Sequence, residues 1–152
     1  MVAQFSIRIQ RTFQLVSTDK IDYAIKKDGR TILLIECKHC KQNLDLHNTQ
    51  LSKYYAASNA RFGVLTNGIE YRFYADLDKT NIMDEKPFLV VNMLDLSDAD
   101  IEEMKKFHKS CYNESEILST AKELQMMIQI KEILAKNFQS PGDEFTLSLI
   151  HI

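Results

Sequence analysis

Lys20 to His39 reads KIDYAIKKDGRTILLIECKH, and this stretch decides the fold. Two strand-forming runs, Ile21–Ile25 and Thr31–Lys38, flank Asp28-Gly29, a dipeptide that accepts the left-handed backbone of a tight hairpin turn. The second run, TILLIECK, is almost continuously apolar, the pattern of a strand covered on both faces. Three charges interrupt that pattern: Asp22, Glu36 and Lys38. Alternate side chains share a strand face, so Glu36 and Lys38 project together while Ile35 and Cys37 turn the other way, into packing. Closure about Asp28-Gly29 sets Asp22 opposite a residue between Thr31 and Glu36, with the register left open.

Carboxylates and an ammonium buried in a sheet are costly unless they pair or bind metal. Two converging carboxylates make a hard oxygen site suited to Mg²⁺, which keeps waters for a phosphate-bearing substrate. A neighbouring lysine then orients or activates a metal-activated water while the ion neutralises charge on the phosphate. Asp22, Glu36 and Lys38 therefore fit phosphodiester hydrolysis. The plainer alternative is a salt-bridged pair at a strand end, with Lys38 solvated.

Working outward, Leu44–Asn59 carries Leu44, Leu51, Tyr54 and Tyr55 among helix formers and reads as a helix. RFGVLT and IEYRFYAD follow as strands around Asn67-Gly68, a second hairpin dipeptide. Phe88–Val91 is a short extended run. Ser97 caps a helix with Asp98 and Asp100 in its first turn. Asn113, with Glu116 three residues on, starts another. Ile117, Ala121, Leu124 and Ile128 then fall at helical spacing, with Met126, Met127 and Ile130 broadening the stripe. That stripe reads as a helix packed on its own domain, ending before Pro141-Gly142. Both termini read as irregular.

The 152 residues, 45% hydrophobic, suit one domain with a real core. A formal net charge of -2 argues against gripping nucleic acid by bulk charge, yet leaves room for a local basic groove. Lys20, Lys26, Lys27, Arg30, Lys38 and Lys41 cluster around the hairpin, with Lys53 and Arg61 to follow; phosphate contacts and solvated strand ends explain them equally. The sparse cysteines Cys37, Cys40 and Cys111 read as reduced thiols. Cys37-x-x-Cys40 lacks a second pair to complete zinc, only His47, His108 and Cys111 being left over. His39 and His108 read as surface or packing residues, and Asp76, Asp78, Asp84 and Asp95 as solvated or capping acids. No phosphate-binding glycine loop, signal peptide or span-length apolar run is present, so a soluble, cytoplasmic protein without ATP chemistry of its own is expected.

KIDYAI…ILLIECK, together with QLSKYY and FGVLTNGIEYRFYADL, resembles the PD-(D/E)XK nucleases. Within them it is most similar to the N-terminal nuclease domain of type I restriction enzyme R subunits and to stand-alone, often phage- or prophage-borne relatives. The likeness runs from about Lys20 through NIMDEKPFL, FHKS and PGDEF to Phe145; residues 1–17 depart from the family's usual leading helix and strand. It implies an α/β fold with a restriction-endonuclease-like core, a central mixed sheet flanked by helices and a helical C-terminal extension. It implies Asp22 and Glu36 as metal-binding acids with the Cys37 carbonyl as a further ligand, and Lys38 as catalytic lysine. Gln50 and Tyr54 match its supporting Gln-x-x-x-Tyr motif. Lys26, Lys27, Arg30, Lys41 and Lys53 become candidate DNA contacts. Mg²⁺, replaceable by Mn²⁺, is the implied cofactor, and DNA the implied partner. A motor, methylation or specificity subunit or a fused domain is a further expected partner, in a bacterial or phage-encoded, membrane-free setting. The expected layout is a poorly matching segment over 1–17, a nuclease core over 18–96, a helical extension over 97–146 and a non-native tail over 147–152. The tail LSLIHI equals the translation of a transposase sequencing adapter. The alternative is a catalytically silent DNA-binding or assembly module.

Overall fold

A computed structural model describes residues 7–14, 20–46 and 48–140. Residues 1–6, 15–19, 47 and the 141–152 tail lie outside them, and with them His47 and the expected non-native end.

The hairpin forms as its turn chemistry demands. β2 (Lys20–Lys27) and β3 (Arg30–Cys37) meet at Asp28 and Gly29, whose φ values of 52° and 82° are both left-handed. β1 (Ile7–Gln14) pairs antiparallel with β2, from Ile7 opposite Lys27 to Gln14 opposite Lys20. The N-terminal segment expected to be irregular thus contributes an edge strand. Its alternation is hard to recognise because Arg11 stands where an apolar residue is due, between Ile9 and Phe13.

After β3 come a 3-10 turn at Leu44–Leu46 and α1 (Asn48–Ala56), which gives the helix read within 44–59 the ends that the sequence left open. β4 (Phe62–Thr66) lies parallel to β3, and β5 (Glu70–Ala75) returns antiparallel through Gly68 at φ 85°. β6 (Leu89–Asn92) completes a six-stranded mixed sheet in the order β1-β2-β3-β4-β5-β6. α2 (Asp98–Lys105) starts at Ser97 with a full capping box closed by Asp100. α3 (Glu114–Gln139) starts at Asn113, whose side chain accepts the Glu116 N–H.

Each face of the sheet carries its own core. Leu34, Leu51, Tyr54, Tyr55, Leu65 and Tyr74 cluster on the α1 face. Ile32, Phe62, Val64, Phe73, Phe88 and Val91 cluster on the other, with Ile117 and Ala121 of α3. β3 is covered on both sides, Leu34 being fully buried, and each such aliphatic side chain contributes about 2 kcal/mol of transfer free energy. The second face is covered only part-way along β3: Ile35 packs there, but Cys37 lies past it and is exposed. The expectation that Cys37 points into packing is corrected accordingly. α3 departs too: Ile117 and Ala121 are buried, whereas Met126, Met127 and Ile130 are 61%, 53% and 44% exposed. The buried residues of the helix, Ile117 and Ala121, lie in its first half, while in the second half Glu132 pairs with Lys86.

Candidate active site

Leu34, Glu36 and Lys38 alternate onto the α1 face, as strand geometry requires. Tyr23 pairs with Ile35, so Asp22 and Glu36 occupy the next rung, at the end of the hairpin away from the turn. That settles the open register, which also contains a shift between Ile25 and Lys26. Asp22 Oδ2 accepts the Cys37 N–H at 2.8 Å, locking the carboxylate onto the edge of β3. The Lys38 N–H donates the other way, to the Thr66 carbonyl of β4 at 2.7 Å. Within a strand, the N–H and C=O of one residue leave on the same side, so the Cys37 carbonyl faces the Asp22 side.

Glu36 is 3% exposed. Its Oε1 accepts from Lys38 Nζ at 2.6 Å, while its Oε2 is buried and accepts no hydrogen bond from the described residues. Burial raises the Glu36 pKa above its ordinary 4.5; the Lys38 hydrogen bond and charge pull it down without cancelling this, and the Asp22 charge adds to the rise. Lys38 Nζ also donates to Gln50 Oε1 at 3.1 Å, so α1 fixes the ammonium from above. Tyr54, one turn on and 4% exposed, belongs to the core under that helix.

A buried carboxylate oxygen without a donor is expensive unless a cation completes it. Glu36, Asp22 and the main-chain oxygen of Cys37 are hard oxygen donors, and they fit Mg²⁺ or Mn²⁺ rather than a softer ion. Among the described residues no three His, Cys, Asp or Glu side chains group to hold a metal. His108 bonds Ser110 through Nδ1.

The candidate DNA contacts divide. Lys41 comes three residues after Lys38 in the loop leaving β3, and Lys53 sits on α1 three residues from Gln50. Lys26, Lys27 and Arg30 lie at the turn, Arg30 being six residues and about 20 Å of strand from Glu36. There Arg30 pairs with Glu114 of α3, and Lys27 stands 5.1 Å over the Tyr112 ring.

Several residues escape sequence reasoning. Asn67 does more than turn the chain: its Nδ2 donates to the Cys40 and Gln42 carbonyls at 3.5 and 3.3 Å, tying the loop behind Lys38 to the β4–β5 turn. Arg72 joins Glu70 to Asp45. Asp76 is no solvated acid; it is buried, paired with Arg61 at 2.7 Å, and accepts the Asn81 N–H. Asp84 is buried as well and accepts the Leu77 and Asp78 N–H groups. Partners fifteen residues apart, as for Arg61 and Asp76, leave no local signature.

The family model described as the type I restriction enzyme R protein N terminus matches residues 1–82. The match includes the opening segment expected to fit poorly, and it spans the hairpin, α1 and the β4–β5 pair. No curated protein and no solved structure matches the chain.

Proposed function

Since the chain belongs to the family of type I restriction enzyme R protein N termini, and through it to type I restriction, we propose that it is a Mg²⁺-dependent DNA endonuclease cutting phosphodiester bonds at Asp22, Glu36 and Lys38. One observation carries this reading: Glu36 Oε2 is buried without a hydrogen-bond donor, beside the Asp22 carboxylate, while Lys38 occupies the other oxygen. A structural salt bridge has no use for that arrangement; a cation ligand does.

Asp22, Glu36 and the Cys37 carbonyl would hold the ion. Mg²⁺ bound there supplies charge neutralisation at the scissile phosphate and acidifies water for attack at neutral pH. Glu36 Oε1 and Gln50 Oε1 take two of the three Lys38 N–H groups, leaving the third for a phosphate oxygen or the attacking water. Gln50 thus positions Lys38, and the buried Tyr54 anchors the helix that carries Gln50. Lys41 and Lys53, at the same end of the sheet, would meet flanking phosphates. The DNA and the other subunits of a restriction system are the partners this implies.

The test is cleavage of supercoiled plasmid by the purified chain with Mg²⁺ or Mn²⁺, beside Lys38→Ala. Nicking and linearisation should appear with the wild type and fall by about 10² or more in the variant, the usual loss for one electrostatic contact at the reacting centre. A folded wild-type chain that binds DNA without cutting it would support the silent DNA-binding module instead.

A further inference from the structure

The loop that leaves β3 starts at His39, the residue after Lys38, and His39, Lys41, Gln42 and Asn43 are all exposed. Exposed polar loops are ordinarily loose. This one is hydrogen-bonded throughout. The Gln42 N–H donates to the His39 carbonyl at 2.8 Å, and Gln42 Oε1 accepts the His39 N–H at 3.2 Å. His39 Nδ1 accepts the Lys41 N–H at 3.2 Å, and Asn43 Oδ1 accepts the Asp45 N–H at 2.9 Å. Asn67 Nδ2 holds the Cys40 and Gln42 carbonyls from the β4–β5 turn. Leu44 roots the loop in the core, and Asp45, its one acid, is neutralised by Arg72.

These bonds fix which polar atoms are left over. A backbone N–H can meet only the oxygen of an amide, and only the unprotonated nitrogen of an imidazole. Gln42 and Asn43 therefore spend their oxygens on the loop and keep their NH₂ groups. His39 spends Nδ1, so its neutral ring carries the proton on Nε2. Lys41 has donors alone. None of these four donor groups bonds any of the described residues.

We propose that residues 39–43 form a phosphate-binding loop that grips the DNA backbone beside the scissile bond, whatever the base sequence. This rests on the reading of Asp22, Glu36 and Lys38 as the cutting centre. Phosphate oxygens accept hydrogen bonds and donate none, which a set of free donors matches; base edges mix donors with acceptors. Residues 39–43 lie at most about 19 Å of chain from Lys38, and phosphates recur every ~3.4 Å of axis along a strand, so the contacts fall on nucleotides next to the cut. Neutral donors beside Lys41 also give a chain of net charge -2 a hold on DNA that releases no counterions.

Gln42→Glu and Asn43→Asp test this, because each keeps the oxygen that the loop uses and turns only the free donor into an acceptor. Gln129→Glu, exposed on α3, adds the same charge away from the loop. Fluorescence anisotropy in EDTA reads binding of the full chain to two labelled duplexes of unrelated sequence, beside thermal melts and separate Mn²⁺ titrations. Each loop variant should raise the dissociation constant about tenfold or more on both duplexes, since a charge-assisted hydrogen bond gives way to repulsion. Gln129→Glu should change it less than about twofold, and melts and bound Mn²⁺ should match the wild type. Lys41→Met removes a group that braces nothing in the fold, so it reads out binding even where an acid variant melts early; it should weaken binding and lower the salt slope by about one. Unchanged affinity in the loop variants, a loss on one duplex only, or a loss matched by Gln129→Glu overturns the loop. Wild-type chain that holds Mn²⁺ yet binds neither duplex overturns the loop alone. The expected DNA-binding losses in a chain that holds no Mn²⁺ would support the loop and overturn the cutting centre.

Discussion

Glu36 carries two opposed demands, and their balance has a sign. Burial raises its pKa above 4.5, so the buried carboxylate is least costly when protonated. A raised folded-state pKa means stability that is complete below the unfolded value and lost as pH climbs through the folded one. A divalent cation binds only the ionised form and must therefore release a proton. The stabilisation of the chain by Mg²⁺ should accordingly grow with pH over the range in which the raised Glu36 carboxyl ionises. Calorimetric melts with and without Mg²⁺ across that range check this, and Glu36→Gln should flatten the difference. A Mg²⁺ shift of equal size at every pH would mean that the ion binds elsewhere. The residue identities of this centre were legible in the sequence, because charges in the run TILLIECK violate the pattern of a buried strand. What they touch was not: the hydrogen bond from the Cys37 N–H to Asp22 depends on a register that a shift at Ile25 and Lys26 alters, and no residue type announces that shift.

Among the elements, the hairpins were readable because Asp28-Gly29 and Gly68 adopt backbone angles that few other residues tolerate. α3 was misread because its apolar positions run together in sequence into one broad stripe; only burial separates Ile117 and Ala121 from the exposed Met126, Met127 and Ile130. α1 is the element on which the site depends, since it carries Gln50 to Lys38 and packs on β2, β3 and β4. Gly63 of β4 sets how closely it sits: a Cβ there would meet Leu51 Cδ2 at 3.2 Å and Tyr55 Cδ2 at 3.4 Å. Gly63→Ala should destabilise the fold by about 1 kcal/mol, overpacking outweighing the gain from replacing a strand glycine. In a thermal melt this is a fall of about 3 °C. Plasmid cleavage should fall further than the folded fraction does, because Gln50 is lifted with the helix; a variant as active as the wild type would separate α1 from the chemistry.

For the whole molecule, a formal net charge of -2 gives no general attraction to DNA, so local cations must supply the contacts. No helix among the described residues is long and apolar enough to cross a membrane. Of the turn-end cations, Arg30 pairs with Glu114 and Lys27 stands over Tyr112, while Lys41 follows β3 in the loop after Lys38 and Lys53 is on α1 with Gln50. Lys41→Ala and Lys53→Ala should each weaken DNA binding and reduce the salt slope by about one, whereas Arg30→Ala should leave that slope unchanged and lower the melting temperature by loosening α3. Binding titrations at several salt concentrations distinguish these. The most direct measurement concerns the ion itself: titration of Mn²⁺ followed by electron paramagnetic resonance in the wild type, Glu36→Gln, Asp22→Asn and Lys38→Ala. The expected result is one bound ion per chain, lost in both carboxylate variants and retained in Lys38→Ala. No bound ion, or binding undiminished in Glu36→Gln, would contradict the assignment of a metal-dependent nuclease centre.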